Sequence, residues 1–199
     1  MRKGIISRSS QKWTLVCTSI LIRDRTKTIL IDPGLATSSA IKKAYFSKLS
    51  SLSMSSEDIT DVIITNGHPD HVTDTNAFPN GVLYQNGMLF WKSTFVLLEN
   101  GTIPVSENVK IISMSGQASQ HLGVIILNCP EYPGIVSVTG DIFMSEKDLT
   151  HPYLWQTFSS DIQKQELVRN KIICNSDWII PGHGNIFPVT RALRLKHCF

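Results

Sequence analysis

Asp61-Val62-Ile63-Ile64-Thr65-Asn66-Gly67-His68-Pro69-Asp70-His71 is the stretch that decides how this chain is read. Its first half, DVIIT, is too short and too β-branched for a helix and reads as a buried strand. Asn66 to Pro69 then form a loop, and a short helix is expected from Asp70. A strand end that opens into a loop is a rigid base for ligands. It delivers His68, Asp70 and His71 together, and imidazole and carboxylate suit zinc, with iron and manganese served by the same donors. Taken alone, the segment also reads as a polar loop with surface histidines.

Two other strands end in the same manner. Val136 to Thr139 leads into Gly140-Asp141, and Trp178 to Ile180 leads into Pro181-Gly182-His183-Gly184. Singly, the first reads as an Asx turn and the second as a loop histidine. Together with the His68 segment they form a series of strand-end motifs.

Around this series the chain reads as strands first and helices later. Trp13 to Ile22 and Thr28 to Asp32 are apolar, β-branched runs separated by Arg23-Asp24-Arg25, as in a hairpin, and Pro33-Gly34 stops the second. Thr37 to Leu49 has helical spacing at Ile41, Tyr45 and Leu49. Val82 to Gln85, Val109 to Met114, Val124 to Asn128 and Ile135 to Thr139 read as further strands. Ser159 to Cys174 reads as an amphipathic helix capped by Ser159 or Ser160, with Ile162, Arg169 and Ile173 along one face. This order fits stacked sheets with helices on the outer faces.

At 199 residues the chain has room for one domain, spanning 1–199. An apolar share of 42% with 18% charged residues fits a compact fold and excludes a disordered chain. The net charge of +3 does not imply a nucleic-acid partner. Arg2, Lys3, Arg8 and Lys12 at one end, and Arg191, Arg194 and Lys196 at the other, read as solvated termini before an RNA-contacting patch. Cys17, Cys129, Cys174 and Cys198 show no short-range pairing, which excludes a zinc ribbon or a redox motif, and a reducing compartment is expected. No apolar run follows Arg2-Lys3, and none approaches a membrane-spanning length. The expected location is the cytosol or nucleus, with no membrane partner.

The series of motifs resembles the metallo-β-lactamase superfamily. Asp32-Pro33-Gly34 is similar to its first motif, which buttresses the site. Thr65 to His71 is similar to the second, Thr-His-x-His-x-Asp-His. Ser115-Gly116-Gln117 stands where the third motif, Pro-Gly-His, follows a strand, and Asp141 and His183 match the fourth and fifth. The resemblance covers Ile29 to Phe187. It implies an α/β fold, the αββα sandwich of two mixed β-sheets flanked by helices, here shortened at the N-terminal side. Asn66 to Asn80, Val138 to Phe143, Asp177 to Phe187 and the pair Trp155-Gln156 resemble a branch associated with endoribonuclease cleavage of histone pre-mRNA 3′ ends. That branch implies a phosphodiester substrate, RNA as a partner and a homodimer. Superfamily thioester and lactam hydrolases widen the substrate classes.

In the superfamily, two histidines of the second motif and one of the third form a first metal site. Asp70, His71 and His183 match the second site, and Asp141 bridges both. Here Asn66 and Gln117 replace two first-site histidines, leaving His68. Amide oxygens replace imidazole poorly. The expected state is one metal, zinc before iron or manganese, with two ions requiring a substitute ligand. His121, four residues beyond Gln117, is that substitute or else an exposed loop histidine. Asp74 reads as a solvated helix residue or a partner of a ligand histidine.

Two functions follow. One is a metal-dependent hydrolase in which a metal-activated hydroxide attacks and Asp70 holds the metal and orients the water. The other is a catalytically weak or inactive relative, a metal-binding structural or partner module, which the Asn66 and Gln117 changes favour. A domain that binds no metal ranks last, because Asp70, His71, Asp141 and His183 all survive.

Overall fold

A computed structural model describes residues 2–34, 39–73, 75–98 and 101–198. Asp74 and the Thr37 start of the expected first helix lie outside the described residues. In chain order the elements are β1 (Ile5–Ser9), β2 (Lys12–Val16), β3 (Ile20–Asp24), β4 (Lys27–Ile31), α1 (Ser39–Ser51), β5 (Asp61–Ile63), β6 (Val82–Gln85), β7 (Met88–Trp91), β8 (Thr94–Leu97), β9 (Thr102–Pro104), β10 (Val109–Ser113), β11 (Leu122–Ile126), β12 (Val136–Gly140), α2 (Tyr153–Gln156), α3 (Ile162–Asn175), β13 (Trp178–Pro181), β14 (Phe187–Pro188) and α4 (Arg191–His197).

Two six-stranded sheets carry the fold, in the orders β3-β4-β5-β6-β7-β8 and β14-β13-β12-β11-β10-β9. Both are mixed: β4, β5 and β6 run parallel in the first, β12 and β13 in the second, and the remaining pairs are antiparallel. The period of two along each strand sorts its side chains between two layers. Ile29, Ile31 and Ile63 meet Val109, Ile111, Val124 and Val138 between the sheets. Leu30, Val62 and Ile64 point outward onto Tyr45 and Leu49 of α1. On the far face, Ile172 and Ile173 of α3 pack with Ile142, Phe143, Ile179 and Phe187. Each fully buried aliphatic side chain contributes about 1.5–3 kcal/mol. The layers are helix, sheet, sheet, helix, as expected.

One buried ion pair ties α3 to the segment after β12. Arg169 Nη2 lies 2.7 Å from Asp148 Oδ1, and its Nη1 donates to Ile142 O at 2.6 Å. Asp148 Oδ2 accepts from Met144 N at 2.7 Å, and the guanidinium sits 4.0 Å over the Phe143 ring. Arg169 therefore belongs to the buried face of α3, with a carboxylate to answer it.

Several expectations need correction. Trp13 to Ile22 is two strands, because the chain breaks at residues 17–19 and β2 pairs with β1, outside both large sheets. No helix begins at Asp70: His71 N reaches back to His68 O at 3.0 Å in a turn, and a 3₁₀ segment follows at Thr75–Ala77. The cap of α3 is Asp161, which accepts from Lys164 N, while Ser160 N donates to Gln117 O and Ser160 Oγ to Gly116 O. Cys174 and Cys198 form a disulfide between α3 and the end of α4, so only Cys17 and Cys129 are the free thiols expected of all four. Spacing concealed this, since the pair is separated by 24 residues and meets only after α4 folds back. Among the described residues, no helix is long and apolar enough to cross a membrane.

Candidate metal centre

The ends of β4, β5, β12 and β13 deliver Asp32, the Thr65–His71 loop, Asp141 and His183 to one edge of the sandwich. His71 Nε2 lies 3.2 Å and His183 Nε2 3.0 Å from the same atom, Asp141 Oδ1. Asp70 Oδ2 stands 3.8 Å from His71 Nε2 and 3.7 Å from the His183 ring. Asp70, His71 and His183 each offer a ligand atom within 4.8 Å of the others. His71 and Asp141 are wholly buried, His183 is 2% exposed and Asp70 8%.

Asp70 Oδ2, His71 Nε2, Asp141 Oδ1 and His183 Nε2 are all buried without a well-formed hydrogen bond. Such orphans are rare, and four converging at one point are costly unless something binds them. The remaining atoms of these side chains explain why these particular four are left. His71 Nδ1 is 2.9 Å from Asp32 Oδ2, and His183 Nδ1 donates to Val16 O at 3.0 Å. Asp32 is held in turn by Thr65 N at 2.8 Å and Thr65 Oγ1 at 2.7 Å. These bonds fix the tautomers and aim both Nε2 lone pairs at the centre, the usual arrangement behind metal-ligating histidines. Two nitrogens and two carboxylate oxygens fit a divalent zinc, iron or manganese ion.

The electrostatics agree. Burial alone would push His71 down, but the Asp141 and Asp32 carboxylates override it and hold it well above its ordinary value. Burial would raise Asp141, yet His71 and His183 hold its carboxyl well below the usual range. Burial also works against a protonated His183, and Asp141 overcomes it and raises that ring. Protons and a metal ion thus compete for the same lone pairs.

The residues matching the first site are arranged differently. His68 Nδ1 lies 2.8 Å from Asp141 Oδ2, the oxygen the other half does not use. His68 Nε2 is 3.1 Å from the Gln117 amide nitrogen, and Gln117 Oε1 is 3.1 Å from His121 Nδ1. His121 Nε2 donates to Thr139 O at 2.8 Å. Asn66 Oδ1 accepts from His68 N at 2.8 Å, and its Nδ2 is buried without a partner. His121 is neither an exposed loop residue nor a free ligand. It is fully buried, its Nε2 is committed to Thr139 O and its Nδ1 is covered by the Gln117 side chain, and burial pushes its pKa down to about 4. Gly140 makes this packing fit: it sits at φ +49°, and any side chain there would collide with Thr65 Oγ1 and His121 Nε2.

Three contributors were not foreseen. The Val16 carbonyl has no side-chain signature. Gln165 of α3, fully buried, donates to Asp141 O at 3.1 Å and Ile142 O at 3.2 Å. Phe158 lies 6.4 Å from the His68 ring and 5.0 Å from Trp13, over which Arg8 sits at 5.3 Å, forming a rim beside the first-site residues.

Residues 13–81 match the family model of the metallo-β-lactamase superfamily. The chain is 28% identical over 184 residues to an uncharacterised Caenorhabditis elegans protein, covering 90% of this chain and 51% of that one. It is 28% identical over 170 residues to metallo-β-lactamase domain-containing protein 1 of Xenopus laevis, covering 82% of this chain and 69% of that one. The chain thus spans between about half and two thirds of the length of these relatives. Among solved structures, a metallo-β-lactamase-like protein from Thermotoga maritima superposes with a TM-score of 0.66 at 22% identity, covering 94% of this chain and 96% of the other.

Proposed function

We propose that this chain is a member of the metallo-β-lactamase superfamily, in line with its family-model and relative matches, and a metal-dependent hydrolase working with one metal ion, zinc, rather than two. The observation that carries this reading is the convergence of four orphaned, buried ligand atoms on Asp70, His71, Asp141 and His183. A divalent ion held there supplies Lewis acidity towards water and the scissile group. Asp32 and Val16 O keep the two imidazoles oriented, and Gln165 steadies the Asp141 backbone. Asp70, the ligand most open to solvent at 8%, is the carboxylate placed to orient a water. His68 takes up the second oxygen of Asp141 in place of a first-site ion.

The finer proposal is an endoribonuclease, in keeping with the branch that the motifs resemble and with its histone pre-mRNA substrates. The rim of Phe158, Trp13 and Arg8 supports it, since aromatic faces and cations suit single-stranded nucleic acid. An RNA substrate places the activity in the cytosol or nucleus. The test is cleavage of a fluorogenic single-stranded RNA by zinc-loaded protein, beside thioester and lactam substrates, with Asp70→Ala as control. Cleavage of RNA that is lost in Asp70→Ala is the expected result. Turnover of a thioester or lactam alone would reject the endoribonuclease and keep the hydrolase. No turnover of any class by a metal-loaded protein would select the second reading, a metal-binding structural or partner module, which the mutually bonded His68, Gln117 and His121 favour.

A further inference from the structure

His183 N donates to Met144 O at 2.8 Å, which lays residues 144–145 along residues 183–184. Gly184 keeps the two segments close, since a β-carbon there would sit 3.3 Å from Ser145 Cβ. The chain just before β1 closes on the same place. Gly4 N donates to Thr18 Oγ1 at 3.2 Å, and a side chain on Gly4 would collide with the His183 backbone. Between these segments lies a cavity of about 330 Å³ with His183 in its wall. That volume is within the range of small-molecule sites.

Ser145 also lines the cavity, is 6% exposed, and its Oγ is buried without a hydrogen-bond partner. It precedes the 3₁₀ segment Glu146–Leu149, where a serine hydroxyl ordinarily caps the following backbone. Here Asp148 N donates to Ser145 O at 3.0 Å instead, and the hydroxyl caps nothing. A buried hydroxyl left over in this way is costly unless a ligand meets it. Lys3 and Lys147 line the same cavity from opposite ends of the sequence, with Glu146 beside them. Among the described residues, none of these three charged groups has an ion pair or hydrogen bond of its own.

We propose that this cavity is a phosphate subsite for a nucleotide, next to the metal centre and separate from it. Lys3 and Lys147 supply point charges for the phosphate, and Ser145 Oγ donates to one of its oxygens. Two ammonium groups outweigh the Glu146 carboxylate, which accepts from a ribose hydroxyl. The assignment rests on the endoribonuclease reading, which makes the nucleotide a neighbour of the scissile phosphate in the RNA chain.

Isothermal calorimetry on the zinc-loaded chain with adenosine 5′-monophosphate, inorganic phosphate and adenosine tests this. The nucleotide should bind, more weakly as salt rises, and adenosine should not. Lys3→Ala combined with Lys147→Ala should weaken binding about tenfold and Ser145→Ala about threefold, with metal content and thermal midpoint at wild-type values. Asp70→Ala, emptied of metal, should still bind the nucleotide. Binding lost in Asp70→Ala and unchanged in the lysine pair would place the phosphate on the ion and overturn the proposal, as would no binding at all. Inorganic phosphate binding as tightly as the nucleotide would overturn the nucleotide assignment. The lysine pair in the RNA assay separates this proposal from the reading beneath it. A raised KM at unchanged kcat supports a subsite for the RNA chain. Unchanged kinetics overturn that subsite while the endoribonuclease stands. Nucleotide binding without RNA cleavage rejects the endoribonuclease and keeps the cavity as a site for a free nucleotide.

Discussion

The two halves of the metal centre share one carboxylate and use it in opposite ways. On one side, Asp141 Oδ1 faces His71 and His183, and every ligand atom is left without a well-formed hydrogen bond. On the other, Asp141 Oδ2 is engaged by His68, which joins Gln117, His121 and Thr139 O. The first half is polar atoms awaiting a cation, and the second is largely polar atoms that have found each other. The difference teaches that buried polar atoms around one carboxylate can be satisfied in two ways. His71 and His183 aim their lone pairs at a common centre, while the Gln117 side chain reaches both His68 and His121 and holds them by polar contacts.

The comparison breaks most visibly if the open half is emptied. His183→Ala or Asp70→Ala should reduce metal from about one ion per chain to near none by plasma mass spectrometry, with hydrolysis lost alongside. A metal count unchanged in both variants would mean the ion sits elsewhere. The next effect is a gain. Asn66→His combined with Gln117→His should raise the count from about one to about two ions. A count that stays at one would show that the closed half is shut by packing around His121 as well as by ligand chemistry.

A third measurement sharpens the contrast through pH. His121 is held neutral by burial, with its pKa at about 4 against 6.5 when free. Its folded value is the lower one, so its stabilising contribution is complete above about pH 6.5 and is lost as pH falls towards 4. The loss approaches roughly 3 kcal/mol. In metal-free protein, a denaturant titration should show this extra loss in the wild type and not in His121→Gln. Parallel curves would mean that His121 carries its proton in the folded chain. The smallest effect is expected at the support of the open half. Asp32→Asn keeps the shape but weakens the hold on His71 Nδ1, and metal affinity should fall about 10- to 100-fold.

The sequence and the structure agree best where local chemistry and burial coincide. DVIIT and VSVT were legible as strands because they are buried and β-branched, and DWII because its apolar run stops at the turn residues Pro181-Gly182; the ligands follow directly from their ends. β7 and β8 were not, because β7 is mostly half-buried and β8 exposed throughout, so neither shows a burial alternation. The false helix at Asp70 has a physical cause: His68, Asp70 and His71 must turn inward together, so the loop tightens instead of winding. The role of His121 was hidden because its partners, Gln117 and Thr139, are set by packing across strands, which composition does not reveal. Gln165 and Arg169 lie one helical turn apart on the buried face of α3, a pairing readable as a polar anchor only once Asp148 and the Asp141 backbone are known to lie opposite.

The clasp between residues 16–18 and 182–184 governs when the site comes into being. His183 takes its orientation from Val16 O, Thr18 N donates to Gly182 O at 2.6 Å, and Thr18 Oγ1 bridges to Gly184 N and O. These partners stand up to 167 positions apart in sequence. A chain emerging from the ribosome cannot assemble the cage until residues 182–184 have been made and have closed on residues 16–18. Metal uptake is accordingly a late event in folding, paced by the slowest long-range closure. A captured ion then acts as a lock on the finished topology, slowing the separation of the two ends.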